Sequence, residues 1–144
     1  MIKTIVKRDG TKEAFDPIKL NQWAEWACSG EEASWAAIAG IAIGTLPEEC
    51  TSEQLQKSLI NAAESLISEE YSYDVPAKKL YLAQLRKAVH GRYNPPNLLA
   101  FVKHMENTNK WQRFSTMYSL DEMCAFAAHI DYSRDELFTY GGLK

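Results

Sequence analysis

The sequence predicts a mainly α-helical protein in which four helices follow one β-hairpin. Three observations carry this prediction. An early β-branched run contains a tight-turn signal, apolar residues recur at helical spacing through most of the remaining chain, and Ser, Thr and Asp side chains stand where helices would begin. A chain of 144 residues with 46% hydrophobic side chains can bury one substantial core.

Residues 2–15 have the pattern of the hairpin. Residues 2–6 (Ile-Lys-Thr-Ile-Val) are rich in β-branched side chains, and Asp9-Gly10 is a strong tight-turn signal before residues 12–15. The first strand, the turn and the second strand therefore follow one another within fifteen residues.

Two helices are expected next. Asp16 is placed as an N-cap, Pro17 suits the first helical position, and Ser29-Gly30 can end the first helix. The second helix is expected from about Glu31 to Thr45.

The apolar run from Trp35 to Ile43 lies inside the second helix. It is shorter than the roughly 20 residues that cross a membrane, so we expect a helix buried on nearly all sides. Gly40 and Gly44 form a G-x-x-x-G pattern, which in this setting predicts close packing between helices rather than membrane dimerisation.

The third and fourth helices have clear starts. Thr51 and Gln54 have capping-box spacing, and apolar residues follow at helical intervals as far as Ile67. Asp74 is expected to cap the fourth helix, and Gly91 suits its left-handed end.

Residues 92–97 (Arg-Tyr-Asn-Pro-Pro-Asn) interrupt the helical pattern, because neither a helix nor a central strand accommodates this sequence. The break divides the chain into regions 1–91 and 92–144. In the second region we expect short helices at Leu98–Met105 and after the capping box of Ser119 and Glu122. Residues 131–144 end in Tyr-Gly-Gly-Leu-Lys without a stop signal that we can interpret.

Composition excludes several classes of function. The 16 basic and 19 acidic side chains give a formal charge of −3, which argues against a broad nucleic-acid or membrane surface. Cys28, Cys50 and Cys124 form no C-x-x-C pair, so we expect free thiols in a reducing compartment. Residues 1–10 lack the apolar stretch of a signal peptide, which favours a cytosolic protein.

Known catalytic motifs are missing. The sequence contains no phosphate-binding P-loop, dinucleotide-binding fingerprint, nucleophile elbow or H-E-x-x-H zinc motif. His104 and His129 have no partner at metal-ligand spacing, so no metal site is expected. The pair Glu48-Glu49 is interpreted as solubilising charge.

The hairpin concentrates Lys3, Lys7, Arg8 and Lys12 against a single acid, Asp9. Cations around a turn with free backbone N–H groups can hold a phosphate. A solvated hairpin edge whose lysines prevent strand pairing explains the same composition. The residues alone leave both interpretations open.

A second basic group lies on the fourth helix. Lys79, Arg86 and His90 share one stripe at 100° per residue, and Lys87 lies at the edge of the apolar face. Lys87 could bind an anionic ligand or extend its ammonium group to water, whereas His90 suits a helix C-terminus through the dipole.

One stretch of sequence resembles a known family. Residues 6–10 (Val-Lys-Arg-Asp-Gly), Glu13 and residues 15–20 (Phe-Asp-Pro-Ile-Lys-Leu) resemble the opening of the ATP-cone domain. That family has a small three-stranded sheet capping a four-helix bundle. The resemblance implies an ATP-cone nucleotide-binding domain over residues 1–91 and a helical connector over residues 92–144.

The likeness extends beyond the cone. Residues 63–68 and 85–91 resemble the third and fourth cone helices of the large, catalytic subunit of class I ribonucleotide reductase, and residues 93–96 and 130–140 resemble its connector to the barrel. The chain stops where the catalytic domain would begin. This implies a regulatory piece without turnover of its own, either produced as a fragment or encoded by a split gene as in some phage genomes.

The resemblance also implies roles for nine residues. Lys7, Arg8 and Lys87 would hold a triphosphate. The other six would contact the base and ribose or line the pocket: Glu13 and Asp16 toward the adenine, Leu20 packed on the base, Lys19 near the ribose, and Ser52 and Gln56 between sheet and third helix. The ligand would be ATP or dATP with Mg²⁺ bridging the phosphates.

The implied setting is deoxyribonucleotide synthesis in the cytosol of a bacterium or of a phage-infected host. The implied partners are the effector, the remainder of the large subunit and its radical-generating small subunit, with no nucleic acid and no membrane.

Two alternatives stay open. A stand-alone nucleotide-sensing regulator would reuse the same cone, although the repressor of that type adds a zinc ribbon built on cysteine pairs, which this sequence lacks. A degenerate cone acting only as a protein-interaction module is suggested by Gln56 and Ala83, where the family often has larger or ionisable groups.

Overall fold

A computed structural model describes residues 2–144. These residues form three strands and seven α-helices, so the predicted helical fold with a small sheet is confirmed. The strands are β1 Thr4–Val6, β2 Lys12–Ala14 and β3 Glu49–Thr51, and the helices are α1 Pro17–Cys28, α2 Trp35–Gly44, α3 Ser52–Ile67, α4 Asp74–His90, α5 Leu98–Asn107, α6 Leu120–Ala127 and α7 Tyr140–Leu143.

The chain forms two compact units. Unit 1 contains the residues up to Leu82 together with Thr139–Lys144, and unit 2 contains Ala83–Phe138. The expected division into regions 1–91 and 92–144 remains a prediction.

The sheet in unit 1 has the strand order β2-β1-β3. β1 and β2 form the predicted antiparallel hairpin, with Val6 opposite Lys12. β3 pairs with β1 in parallel, with Val6 opposite Thr51. The residue pattern did not locate β3, because three residues with one buried side chain, Cys50, give no measurable alternation.

Helix starts follow the capping side chains. The Asp16 carboxylate accepts from the N–H of Ile18 at the start of α1, as predicted. α2 begins at Trp35, four residues later than expected, because the Ser34 hydroxyl accepts from the N–H of Ala37 and fixes the start there.

α3 and α4 have nearly the expected bounds. Both hydrogen bonds of the Thr51–Gln54 capping box are present, at 3.0 and 2.8 Å. Asp74 is the first residue of α4 rather than its cap, and its buried carboxylate accepts from the backbone N–H of Tyr140. Gly91 has φ +81°, the left-handed end that the sequence predicted.

The main core of unit 1 receives side chains from all four helices of the predicted bundle. Each helix contributes at least one large side chain that is 3% exposed or less, and these are Leu20, Ile38, Leu59 and Leu80. A smaller cluster of Ile2, Ile5 and Cys50 lies under the sheet. Phe15 and Leu55 pack against both clusters and so connect the sheet to the bundle.

The prediction that α2 is buried on nearly all sides is wrong. Ile38 is fully buried, but Trp35 and Ile41 are 37% and 39% exposed. Close packing at Gly40 and Gly44 is also wrong, because a Cβ at either glycine would meet nothing within 4 Å. α2 packs against α1 and α3 only on its other face, so an apolar helix presents an exposed side.

Unit 2 contains the expected connector helices. α5 begins after Asn97, whose side chain accepts from the N–H groups of Leu99 and Ala100, and ends at Asn107 rather than Met105. α6 follows the predicted capping box, in which both bonds are present. The two helices pack against each other.

Residues 139–144 carry an anchor that sequence analysis did not find. The Tyr140 ring is 5% exposed and lies edge-on to Tyr81 with centroids 5.8 Å apart. Its hydroxyl donates to a Glu64 carboxylate oxygen at 2.9 Å, and Lys144 pairs with the same carboxylate. These contacts attach the segment to α3 and α4 within unit 1.

Cys28, Cys50 and Cys124 are free thiols, and burial raises the pKa values of Cys28 and Cys50. Over residues 2–144, no helix has both the length and the apolar character needed to cross a bilayer.

An Ile→Ala substitution should lower the free energy of unfolding by different amounts on the two faces of α2. We expect Ile38→Ala to lower the free energy of unfolding by about 2–5 kcal/mol, because it leaves a cavity in the main core. Ile41→Ala should cost less than about 1 kcal/mol, since that side chain is partly solvated already. Urea unfolding followed by circular dichroism measures both, and equal losses would contradict the orientation of α2.

Candidate functional site

The turn between β1 and β2 is fixed by local hydrogen bonds. Gly10 has φ +83° and donates its N–H to the Lys7 carbonyl at 2.9 Å. The Asp9 carboxylate accepts from the hydroxyl and the N–H of Thr11, at 2.6 and 2.9 Å, and these bonds hold the pKa of Asp9 below its ordinary value. The backbone that carries Lys7 and Arg8 is therefore well defined.

The sheet register brings the end of β1 beside the start of α3. Val6 pairs with Thr51 in the parallel ladder, so Lys7 and Ser52 each directly follow a paired residue at the same edge of the sheet. Thr51 is also the N-cap of α3, a helix of 16 residues. The partial positive charge at the N-terminus of α3 and the Lys7 cation of the hairpin thus lie at the same edge of the sheet, and this arrangement suits phosphate.

Glu13 connects two of the predicted site lysines. Its carboxylate lies 2.8 Å from the Lys7 ammonium and 3.7 Å from that of Lys19. The hydrogen bond to Glu13 raises the pKa of Lys7, and the bond from Lys7 lowers the pKa of Glu13. The structure thus brings together Lys7 from the hairpin, Glu13 from β2 and Lys19 from α1.

The remaining hairpin lysines are paired outside this group. Lys3 lies 3.0 Å from Glu48 and Lys12 lies 2.9 Å from Glu49. The interpretation of Glu48 and Glu49 as merely solubilising is therefore corrected, because both carboxylates form ion pairs with lysines of the hairpin region. Arg8 is exposed, and no ion pair to it is found in residues 2–144.

Asp16 and Leu20 have structural roles on α1. One Asp16 carboxylate oxygen is engaged in capping the helix at 2.9 Å from the Ile18 nitrogen. Leu20 is 2% exposed and belongs to the main core. Contact between either residue and a nucleotide remains a prediction.

Ser52 and Gln56 lie one helical turn apart, on the same face of α3. Both are partly buried. The Gln56 Nε2 atom is buried and has no hydrogen-bond partner within residues 2–144. An unsatisfied buried amide costs about 1–3 kcal/mol, so a ligand acceptor at this position would be stabilised.

The basic residues of α4 are engaged individually. Within unit 2, the Lys87 ammonium lies 4.8 Å from the centroid of the Tyr93 ring, a cation–π contact that the sequence did not reveal. Arg86 pairs with Asp135 at 2.6 Å. Within unit 1, Lys79 donates to the Ser29 carbonyl at 2.9 Å. Participation of Lys87 in a phosphate site remains a prediction.

The described residues 2–144 contain no group of three or more His, Cys, Asp or Glu side chains arranged to hold a metal ion. The chemical resources of the site are therefore cations, one bridging carboxylate, a helix N-terminus and an orphan amide. This set of groups suits the binding of an anion.

Comparison with known proteins agrees with this fold. The ATP cone domain profile matches residues 3–88. The chain therefore belongs to the ATP-cone family.

Relatives identify the kind of protein in which this cone occurs. The chain is 29% identical over 140 residues to ribonucleoside-diphosphate reductase subunit alpha of Enterobacteria phage T4, covering 96% of this chain and 19% of that protein. Identity is 29% over 143 residues to the alpha subunit of Buchnera aphidicola from Schizaphis graminum, and 27% to ribonucleoside-diphosphate reductase 1 subunit alpha of Escherichia coli K12. Each of these two matches covers 97% of this chain and 19% of the relative. The chain is thus homologous to the N-terminal region of the large subunit and spans about a fifth of its relatives' length.

The Lys7–Glu13 contact predicts a measurable titration shift. Lys7→Ala should raise the pKa of the Glu13 carboxyl toward its ordinary value, because the charge-assisted bond that favours the ionised form is lost. Carboxyl carbon NMR across the acid range measures this shift. Lys3→Ala removes an equal charge from the same strand region but should leave the Glu13 titration unchanged; a shift of similar size in both variants would contradict the contact.

Proposed function

We propose that this chain is the allosteric effector domain of a ribonucleoside-diphosphate reductase large subunit and that it binds ATP or dATP. The observation that carries the proposal is the parallel register of β1 and β3, which brings Lys7 and Arg8 to the N-terminus of α3. Membership of the ATP-cone family and the reductase relatives support the same conclusion.

In this proposal the triphosphate interacts with Lys7, Arg8 and Lys87. The partial positive charge at the N-terminus of α3 adds to the attraction. Lys7 must exchange its Glu13 partner for a phosphate oxygen, so binding replaces one charge-assisted bond with another. Mg²⁺ would accompany the phosphates and reduce their mutual repulsion.

The nucleoside would lie toward α1 and α3. Glu13 and Asp16 carry carboxylate oxygens that can accept from the adenine amino group, and Lys19 would approach the ribose. Leu20 would supply apolar surface below the base, although little of it is exposed. Ser52 and Gln56 would line the remaining wall, with the orphan Gln56 amide donating to the ligand.

The proposed role is regulatory. Binding of the effector would alter the equilibrium between assemblies formed with the rest of the large subunit and with the radical-generating small subunit, which requires a coupling of only about 1–3 kcal/mol. The three cysteines stand outside any redox pair, so we assign no turnover to these residues.

One observation favours a second candidate function. The exposed face of α2, with Ile41 at its surface, is the type of surface that a protein partner covers. A cone used only as an interaction module would keep this face and lose nucleotide affinity.

The first test is calorimetric titration of the chain with ATP and with dATP. We expect saturable binding that Lys7→Ala and Lys87→Ala each weaken about tenfold or more, because each loses a charge-assisted phosphate contact. Lys3→Ala and Lys103→Ala are charge-matched controls and should bind nearly as the original chain does. A folded chain with no saturable signal for either nucleotide would favour the interaction module.

The second test separates binding from stability at Gln56. Gln56→Leu removes the orphan amide while preserving most of the side-chain volume, so the free energy of unfolding should stay equal or increase. ATP affinity should fall about tenfold, since the donor to the ligand is lost. Unchanged affinity in a variant of equal or higher stability would remove Gln56 from the site.

A further inference from the structure

Unit 2 contains a cavity of about 310 Å³ formed by the end of α4, residues 92–97 and the first turns of α5. Its polar lining includes His90, Arg92, Asn94, Asn97 and His104, and Phe101 supplies an aromatic wall. No described lining residue is acidic. The volume is at the lower end of the range for small-molecule sites.

One polar atom of a lining residue lacks a partner. The Nε2 atom of His90 is buried and forms no hydrogen bond within residues 2–144. The His90 ring meets the Phe101 ring edge-on at 6.4 Å. An acceptor oxygen of a ligand that reached this nitrogen would satisfy it.

The charges facing His90 are positive. Burial lowers the pKa of His90, and the charges of Arg86, Arg92 and His104 lower it further. The carboxylate of Asp135 pairs with Arg86, and the lining residues supply no second one. An incoming anion would offset the positive charge of these neighbours and so raise the pKa of His90 toward its ordinary value.

The N-terminus of α5 adds to the positive potential around the cavity. Asn97 and Ala100 both line the cavity, so the helix N-terminus opens on it. The N–H groups of Leu99 and Ala100 already donate to the Asn97 side chain. Direct donors to a ligand would therefore come from the Arg92 guanidinium, the imidazole of His90 and the amide of Asn94.

We propose that this cavity of unit 2 is an anion site, which binds the dianionic phosphoryl group of a small ligand. Arg92 provides the permanent charge and the fork of donors that a phosphoryl group fits. His90 provides a donor that gains a proton when the anion enters. The shared chemistry allows free phosphate or a nucleoside monophosphate whose base rests on Phe101.

Sulfate is a suitable probe, because its charge stays constant while histidine titrates. Heteronuclear NMR of the 144-residue chain should give saturable shifts of the His90 imidazole and Ala100 amide signals as sulfate replaces chloride at fixed ionic strength. Affinity should be higher at about pH 5.5 than at about pH 7.5, since the bound anion favours the imidazolium form. Arg92→Gln should weaken binding about tenfold.

Arg134→Gln is the charge-matched control, because Arg134 is exposed in the same unit and does not line the cavity. It should leave sulfate affinity within about twofold of the original. Equal weakening by both arginine variants, or non-saturable shifts at His90 and Ala100, would overturn the proposal. Lys7→Ala should not alter these shifts, so the result is independent of the effector site.

Phosphate and adenosine monophosphate then distinguish the ligand source. Tighter binding of the monophosphate with shifts of the Phe101 ring signals supports a nucleoside monophosphate. Equal affinity without ring shifts supports free phosphate. Absence of binding by both, in a chain whose spectrum shows it folded, would refute the site.

Discussion

The parallel pairing of β1 with β3 is the constraint on which the candidate site depends. Three-residue strands are too short to be stable alone, so the pairing is maintained by burial of Ile5 and Cys50 beneath the sheet. Phe15 and Leu55 extend this small cluster into the main core. Core packing thus fixes the register, and the register brings the hairpin cations to the start of α3.

Charge in this chain is arranged locally rather than by overall composition. Lysines of the hairpin are paired with specific carboxylates, Lys7 with Glu13 and Lys3 with Glu48. The Lys7–Glu13 pair orders the cation, and under the proposed function the Lys7 ammonium would exchange this partner for phosphate. The cavity beside His90 differs, because its described lining contains basic residues and no carboxylate that could pair with them.

Several errors of sequence interpretation share one cause. Periodicity and composition described α2 as buried, yet its apolar face around Ile41 is exposed and Gly40 packs against nothing. Tyr140 lies in a segment that ends without a readable stop signal, yet it is buried through Tyr81, Glu64 and Asp74. A local pattern states which residues are apolar, whereas the neighbours that cover them come from distant parts of the chain.

The sequence by itself determined the hairpin turn at Asp9-Gly10, the caps at Asp16, Thr51 and Ser119, and the end of α4 at Gly91. These features depend on hydrogen bonds and dihedral angles within a few residues, which residue type controls directly. Only the tertiary structure decided the existence of β3, the partners of each lysine, and the orphan atoms of Gln56 and His90. Those depend on contacts between segments far apart in the chain, where the packing of the whole fold, and not the local pattern, selects the neighbour.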